Sequence, residues 1–165
     1  MTPQKIIDYY RLQPHPEGGW YKETYKSNES ISKHALPVRF NEDRQFSTAI
    51  FFLLEKGNFS AFHKIKSDEC WHFYAGGRLL IYIIDEAGKL NTIKLGPNIL
   101  NDEVCQFVVP ANSWFASIPD ADTEFSFVGC TVSPGFDFND LELANGTLLS
   151  KEYPQHTNTI LALCR

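Results

Sequence analysis

His63 and Glu69 stand six positions apart inside the stretch GNFSAFHKIKSDECWHFYAGG, which runs from Gly57 to Gly77. An imidazole and a carboxylate at this spacing can begin a transition-metal site, or they can form a general acid–base pair working near neutral pH. A catalytic metal needs three or four protein ligands, and the position where another histidine would complete the cage holds Ile65. His72 lies three positions beyond Glu69. Side chains on an extended strand alternate, so His72 points away from Glu69 unless a bulge turns it inward. His15 and His34 could reach in only from the N-terminal part of the chain. The reading is therefore no resident cofactor, with a divalent transition metal on His63 and Glu69 as the alternative.

The residues around this pair read as strands. Trp20–Tyr25, Phe46–Leu54, Phe59–Ile65, Glu69–Tyr74, Arg78–Ile84, Lys89–Leu95, Gln106–Val109, Trp114–Ile118 and Phe125–Val132 are short, aromatic or β-branched, and divided by turn residues. That pattern is all-β, a sandwich or barrel. Thr2 followed by Pro3 marks a helix start, with Ile6, Ile7 and Tyr10 on one face. Pro14-His15-Pro16-Glu17-Gly18-Gly19 ends that helix in a turn, where Glu17 would matter only as part of a lid. Asn28 to Asp43 reads as a mobile polar loop, and Asp137 to Leu143 as a short helix after the turn Ser133-Pro134-Gly135.

Gly76-Gly77 suits a two-residue hairpin turn that needs positive φ. Such a turn sets Trp71 opposite Tyr82 and Glu69 opposite Ile84, so Glu69, Trp71, Phe73, Leu80, Tyr82 and Ile84 share one face. The other face, with Cys70, His72, Tyr74, Leu79, Ile81 and Ile83, is equally apolar. Something must cover each side: a second subunit, making a homodimer, or an intramolecular second layer.

At 165 residues, 43% hydrophobic and 14% aromatic, the chain is long enough for one domain with a full core. The division expected is a helix and arm over 1–45, a barrel over about 46–135 and an extension over 136–165. A net charge of −5 argues against a nucleic-acid partner, which needs clustered Lys and Arg. The four cysteines, at 70, 105, 130 and 164, show no CxxC pair and read as reduced thiols. The N-terminal residues carry no apolar signal core, and no apolar run approaches the ~18 residues of a membrane helix. A cytoplasmic protein without a membrane partner is the expectation.

Gly57, His63, Glu69 and Gly76 fit the spacing of the first cupin motif, with Ile65 in place of its second histidine. The second motif maps onto Pro110, with Asn112 in place of its glycine and Phe115 in place of its histidine. The segments PHPEGGW, SDECWHFYAGG, VPANSWFA and VGCTVSPGFDFNDLELA resemble the Cupin-5 branch, a domain of unknown function, over Ile6 to about Ala144. The resemblance implies a double-stranded β-helix, or jelly-roll barrel, with a short helix at each end, a ligand-sized cavity and a dimeric state, and no agreed reaction. Some metal-free cupins, notably nucleotide-sugar epimerases, use a barrel histidine as base and a tyrosine as acid; by that resemblance His63 is the base, Tyr82 the acid and Glu69 the orienting group.

Three functions stand open. The first is a metal-independent barrel binding a small polar, sugar- or nucleotide-like molecule for isomerase, epimerase or hydrolytic chemistry. Trp71, Phe115, His72, Gln106 and Ser117 then join the acid–base residues as ligand contacts, with interface hydrogen bonding a second use for His72. The next is a binding or sensing dimer without chemistry, in which Trp71 and Phe115 are core and Glu69 pairs with Arg39, Arg44 or Arg78. The last is a metal-dependent dioxygenase or isomerase.

Overall fold

The computed structural model describes residues 1–165. Its elements in chain order begin with α1 (Pro3–Tyr10), β1 (Gln13–Pro14), β2 (Trp20–Lys26), β3 (Ser30–Ile31), β4 (Arg44–Gln45), β5 (Thr48–Glu55) and β6 (Ser60–Lys64). They continue with β7 (Asp68–Gly76), β8 (Leu79–Ile84), β9 (Leu90–Leu95), β10 (Gln106–Val109), β11 (Trp114–Pro119) and β12 (Phe125–Ser133). After β13 (Glu142–Leu143) the chain ends in α2 (Gly146–Glu152) and α3 (Thr157–Ala162). The strands form a six-stranded sheet in the order β1-β2-β5-β12-β7-β10 and a five-stranded sheet in the order β13-β6-β11-β8-β9, with β3 and β4 as a separate pair. This is the mostly-β cupin fold expected, with a short helix at the N-terminus and helices at the C-terminus.

Alternation along the strands builds the core between the sheets. Phe52, Leu54 and Trp71 from the first sheet meet Leu79, Ile81, Ile83 and Phe115 from the second. Burying such side chains contributes roughly 1.5–3 kcal/mol each before entropy is counted. Two further layers cover the sheets from outside. Ile6, Ile7 and Leu12 of the N-terminal segment pack on Leu53, Phe125 and Phe127. Leu149, Ile160 and Leu163 of the C-terminal helices pack on Phe62, Ile84 and Ala116.

Several local expectations change. Gly76-Gly77 makes no two-residue hairpin: β7 pairs with β12 and β10, and β8 with β9 and β11. The glycines instead let the chain pass closely under the start of β12, where a Cβ on Gly76 would overlap the Phe125 carbonyl and one on Gly77 would overlap Thr123. Leu79, Ile81 and Ile83 therefore point inward, and the outer side of β8 is covered within the chain by α2 and α3. Thr2 is extended before α1, but its side chain accepts no capping hydrogen bond. Asn28 to Asp43 includes β3 and a 3₁₀ turn at Lys33–Ala35.

The helix expected over Asp137 to Leu143 is only a 3₁₀ turn, Phe138–Asp140, followed by β13. Asp137 accepts from the Asn139 N–H, and Asp140 is held by Arg44, which draws the chain into pairing with β6. All four cysteines are free, and only Cys130 is fully buried. No helix is long and apolar enough to cross a membrane.

Candidate acid–base site

The turn between β1 and β2 places the first reactive group. The His15 N–H donates to the Gly19 carbonyl and the Gly18 N–H to the His15 carbonyl, each at 3.0 Å, closing a tight loop. Gly18 and Gly19 have φ of 115° and 75°, and a Cβ on Gly19 would lie 2.7 Å from the Leu53 carbonyl oxygen. Positive φ and this close approach together demand glycine. The consequence is that Glu17 is driven inward to 7% exposure, its own carbonyl taking the Ala61 N–H at 2.9 Å.

The Glu17 carboxyl accepts from Ser60 Oγ at 2.9 Å, and its other oxygen lies 3.4 Å from His63 Nε2. His63 is 1% exposed, with Nδ1 2.7 Å from the Ala61 carbonyl oxygen. A carbonyl can only accept, so Nδ1 carries a proton, which leaves Nε2 of the neutral ring as a lone pair. A lone pair facing a carboxylate is repulsive. A proton between them would relieve that repulsion, and the imidazole stands directly behind the carboxyl to hold one.

Glu69 enters from β7 in the other sheet and is 8% exposed. Burial first, and the nearby Glu17 charge second, push it from its ordinary 4.5 up to about 8. The Cys130 thiol and Trp71 indole lean on it in the opposite sense. The Trp71 N–H is close to the carboxyl but makes no bond of full hydrogen-bonding geometry, leaving it a buried donor without a satisfied partner. Burial, with Glu69 next, also pushes the Cys130 thiol well up. Burial holds His15 low against the opposing pull of Glu17; its Nδ1 accepts the Glu17 N–H at 3.3 Å, so the nearby carboxylate does not form a charged pair with it.

Glu17, Glu69, Trp71, Cys130, His15 and Tyr21 share the wall of a cavity of about 240 Å³. Phe136 and Phe138 cover one side of it. Phe138 stands with its ring centroid 5.9 Å from that of His15, and its segment is pinned through Asp140, which Arg44 grips with two bonds of 2.6 Å.

Of the residues expected at the site, Glu69 and Trp71 line the cavity. His63 faces inward but acts from behind Glu17. Phe115 is buried against His63, centroids 4.1 Å apart, and supports the wall without forming it. Ser117 is buried opposite Ser60, its hydroxyl unpartnered.

Tyr82 does not share the Glu69 face: β8 belongs to the other sheet, and its even-numbered side chains pack outward beneath the C-terminal helices. His72 and Gln106 are directly paired and also lie outside. The Gln106 amide donates to His72 Nδ1 and His72 Nε2 bonds Thr131 Oγ1, both at 3.0 Å. None of the three reaches the cavity.

No arginine meets Glu69. Arg44 holds Asp140, Arg39 donates to the Lys66 carbonyl, and Arg78 pairs with Asp120. Glu17 and His15 were the residues read only as turn and reserve; the signal for Glu17 was an acid seated directly before two glycines.

The donors do not fit the metal centre that the cupin spacing implies. Ile65 lines the cavity where a histidine would stand, Phe115 fills the second-motif position, and both His63 nitrogens face protein oxygens. No three His, Cys, Asp or Glu side chains converge as ligands.

Comparison with known proteins agrees with this architecture. The family described as Cupin superfamily (DUF985), Cupin_5, matches residues 4–144. The uncharacterized protein YML079W of Saccharomyces cerevisiae is 30% identical over 87% of this chain and 75% of its own length. The crystal structure of protein SO0799 from Shewanella oneidensis superposes with a TM-score of 0.89 at 38% identity, covering 100% of this chain and 98% of that one. A hypothetical protein from Leishmania major gives 0.88 at 30% identity, over 99% of both chains. Oxalate decarboxylase from Bacillus subtilis shares the fold alone, with a TM-score of 0.57 at 15% identity over 91% of this chain and 36% of that one.

Proposed function

The chain belongs to the Cupin_5 (DUF985) family of the cupin superfamily, and from that premise we propose that its cavity binds a small polar molecule and transfers a proton on it without a metal. The observation that carries this reading is the pairing, on one cavity wall, of an acid held protonated near neutrality with a carboxylate backed by an imidazole. Perturbed groups converging in a pocket are what acid–base chemistry requires.

Glu17, backed by His63, takes a proton from a carbon next to a carbonyl group. Glu69 gives its proton to the carbonyl oxygen, and an enediol forms. Return of the proton to the other carbon isomerises the molecule, and return to the other face of the same carbon epimerises it. Nothing is oxidised or reduced in the balance. The acid and base differ from the epimerase resemblance, because Tyr82 lies outside the barrel and His63 works through Glu17.

The experiment is incubation of the full chain in D₂O with a pool of hydroxyaldehydes, hydroxyketones and free sugars, followed by proton NMR. Enzyme-dependent deuterium at the carbon next to the carbonyl is expected, and Glu17→Gln and Glu69→Gln should each lower it at least ~100-fold. Exchange that survives both changes would remove the assignment.

One observation favours a second reading, binding without chemistry. Glu17 is already engaged by Ser60 and His63, which weakens it as a base. A ligand bound with no exchange would favour that reading.

The expected homodimer has one surface open to it. Beyond α1, the outer side of the six-stranded sheet leaves Tyr74 and Val108 49% and 46% exposed. Light scattering of the full chain at micromolar concentration tests this, and a monomer removes the dimer.

A further inference from the structure

None of the residues lining the cavity is lysine or arginine. Arg44 and Lys66, which grip the covering segment from outside it, are both committed to Asp140, at 2.6 and 3.1 Å. Glu23, at the exposed rim, adds a negative charge on the way in. Inward of the rim, burial holds Glu69 protonated, and His15 is a neutral ring accepting the Glu17 N–H. The interior therefore offers an anion no counterion.

What it does carry is neutral hydrogen-bonding capacity. The Trp71 N–H is a buried donor without a satisfied partner, the Glu69 carboxyl can donate and accept, and Tyr21 adds a hydroxyl. Aromatic faces from Phe52, Phe136 and Phe138 complete the wall. An anionic group placed here would be buried without a counterion, which costs several kcal/mol. A hydroxyl group finds partners. Size narrows the class further, since 240 Å³ lies below the ~300–1,000 Å³ of ordinary ligand pockets. A nucleotide-linked sugar, with a base and two phosphates, is both too large and wrongly charged.

We propose that the cavity selects an uncharged, hydroxyl-bearing molecule no larger than a monosaccharide and rejects the phosphorylated or otherwise anionic form of the same skeleton. This rests on the cavity being the binding site, so the test must separate the class from the site.

Three pools of hexoses matched in skeleton serve as probes: free aldoses and ketoses, their 6-phosphates and the uronates. Each is titrated against the full chain by saturation-transfer NMR and calorimetry. The free sugars should bind at least ~10-fold tighter than either anionic pool, which is ~1.4 kcal/mol. Trp71→Phe, which keeps an aromatic ring and removes the donor, should weaken free-sugar binding at least ~5-fold. If that variant does not fold, Glu17→Gln reports the same site.

If an anionic pool binds as tightly as the free sugars and is sensitive to these changes, the site stands and the uncharged class is wrong. If no pool binds, or binding ignores both variants, the cavity is not the site and the proposal falls with it.

Discussion

Asp140 and Glu69 are two acids at nearly equal exposure, 6% and 8%, with opposite electrical fates. Burial by itself would raise Asp140, but its bonds to Arg44 and Lys66 outweigh that and hold it below its ordinary value. Glu69 lies deeper, faces the Glu17 charge and meets no cation, so it is pushed up to about 8. Exposure does not decide between them; depth and a partner do. The first acid is a fastener that holds the covering segment of Phe136 and Phe138 in place. The second has no such partner and keeps its proton up to about pH 8.

The largest effect should come from making the fastener resemble the poised acid. Arg44→Ala leaves Asp140 buried with only Lys66, and removal of one partner from such a pair costs about 3–5 kcal/mol. Urea unfolding should show that loss, and Arg44→Ala combined with Asp140→Leu should recover much of it. A loss under ~1 kcal/mol in the single variant would mean the pair is effectively solvated.

The poised acid should reveal itself through pH. Glu69 ionises near 4.5 when unexposed to the fold and near 8 within it, so the folded state keeps a proton that the unfolded state releases. Stability contributed by that protonated group is full below about 4.5, declines as pH rises through the interval, and levels above about 8. The steepest slope is ~1.4 kcal/mol per pH unit. Glu69→Gln lacks this decline, so its melting temperature should gain on the wild type between those limits. Parallel curves would show that Glu69 ionises normally. In the same way, proton exchange on substrate should fall above about pH 8 as the acid is lost.

A smaller effect of opposite sign belongs to Asp140. Its folded value is depressed, so its contribution is present at neutral pH and disappears as pH falls below the ordinary 3.8. Asp140→Asn should flatten the acid limb of a stability curve while leaving the alkaline limb, where Glu69 acts, untouched. An unchanged acid limb would place the acid sensitivity elsewhere.

How far this contrast could be read from sequence depends on how local each feature is. The strands were legible because Thr48–Glu55 and Leu79–Ile84 are short apolar runs with β-branched and aromatic residues, bounded by turn residues whatever lies beside them. Pairing was not. Gly76-Gly77 satisfies a hairpin and a crossing between sheets equally well, and only the approach of Phe125 and Thr123 decides. That choice turned Tyr82 from the cavity to the outer surface. Glu69 was legible as an inward carboxyl, but its partner was not an arginine or an adjacent histidine. It was the charge of Glu17, seated by the Leu53 carbonyl meeting Gly19 from far along the chain. The C-terminal helices did carry a local signal: Asn145 caps the Leu148 N–H before Gly146–Glu152.

Tyr82→Phe should have the smallest effect, and it sharpens the contrast by asking whether a second acid exists. Tyr82 packs half-buried beside Phe62, Ile84 and Ala116, on the far side of the five-stranded sheet from the cavity. Removing its hydroxyl keeps the ring that covers those residues, so stability should move by no more than ~0.5 kcal/mol. Deuterium exchange on substrate should stay within about twofold, because a phenol outside the sheet cannot reach an oxygen held by Glu69 and Trp71. A fall comparable to that of Glu69→Gln would mean that β8 presents its even-numbered residues to the interior while the protein works. Glu69 would then share the role of acid, and the distinction between a poised interior and a merely packed exterior would fail at the sheet that is meant to divide them.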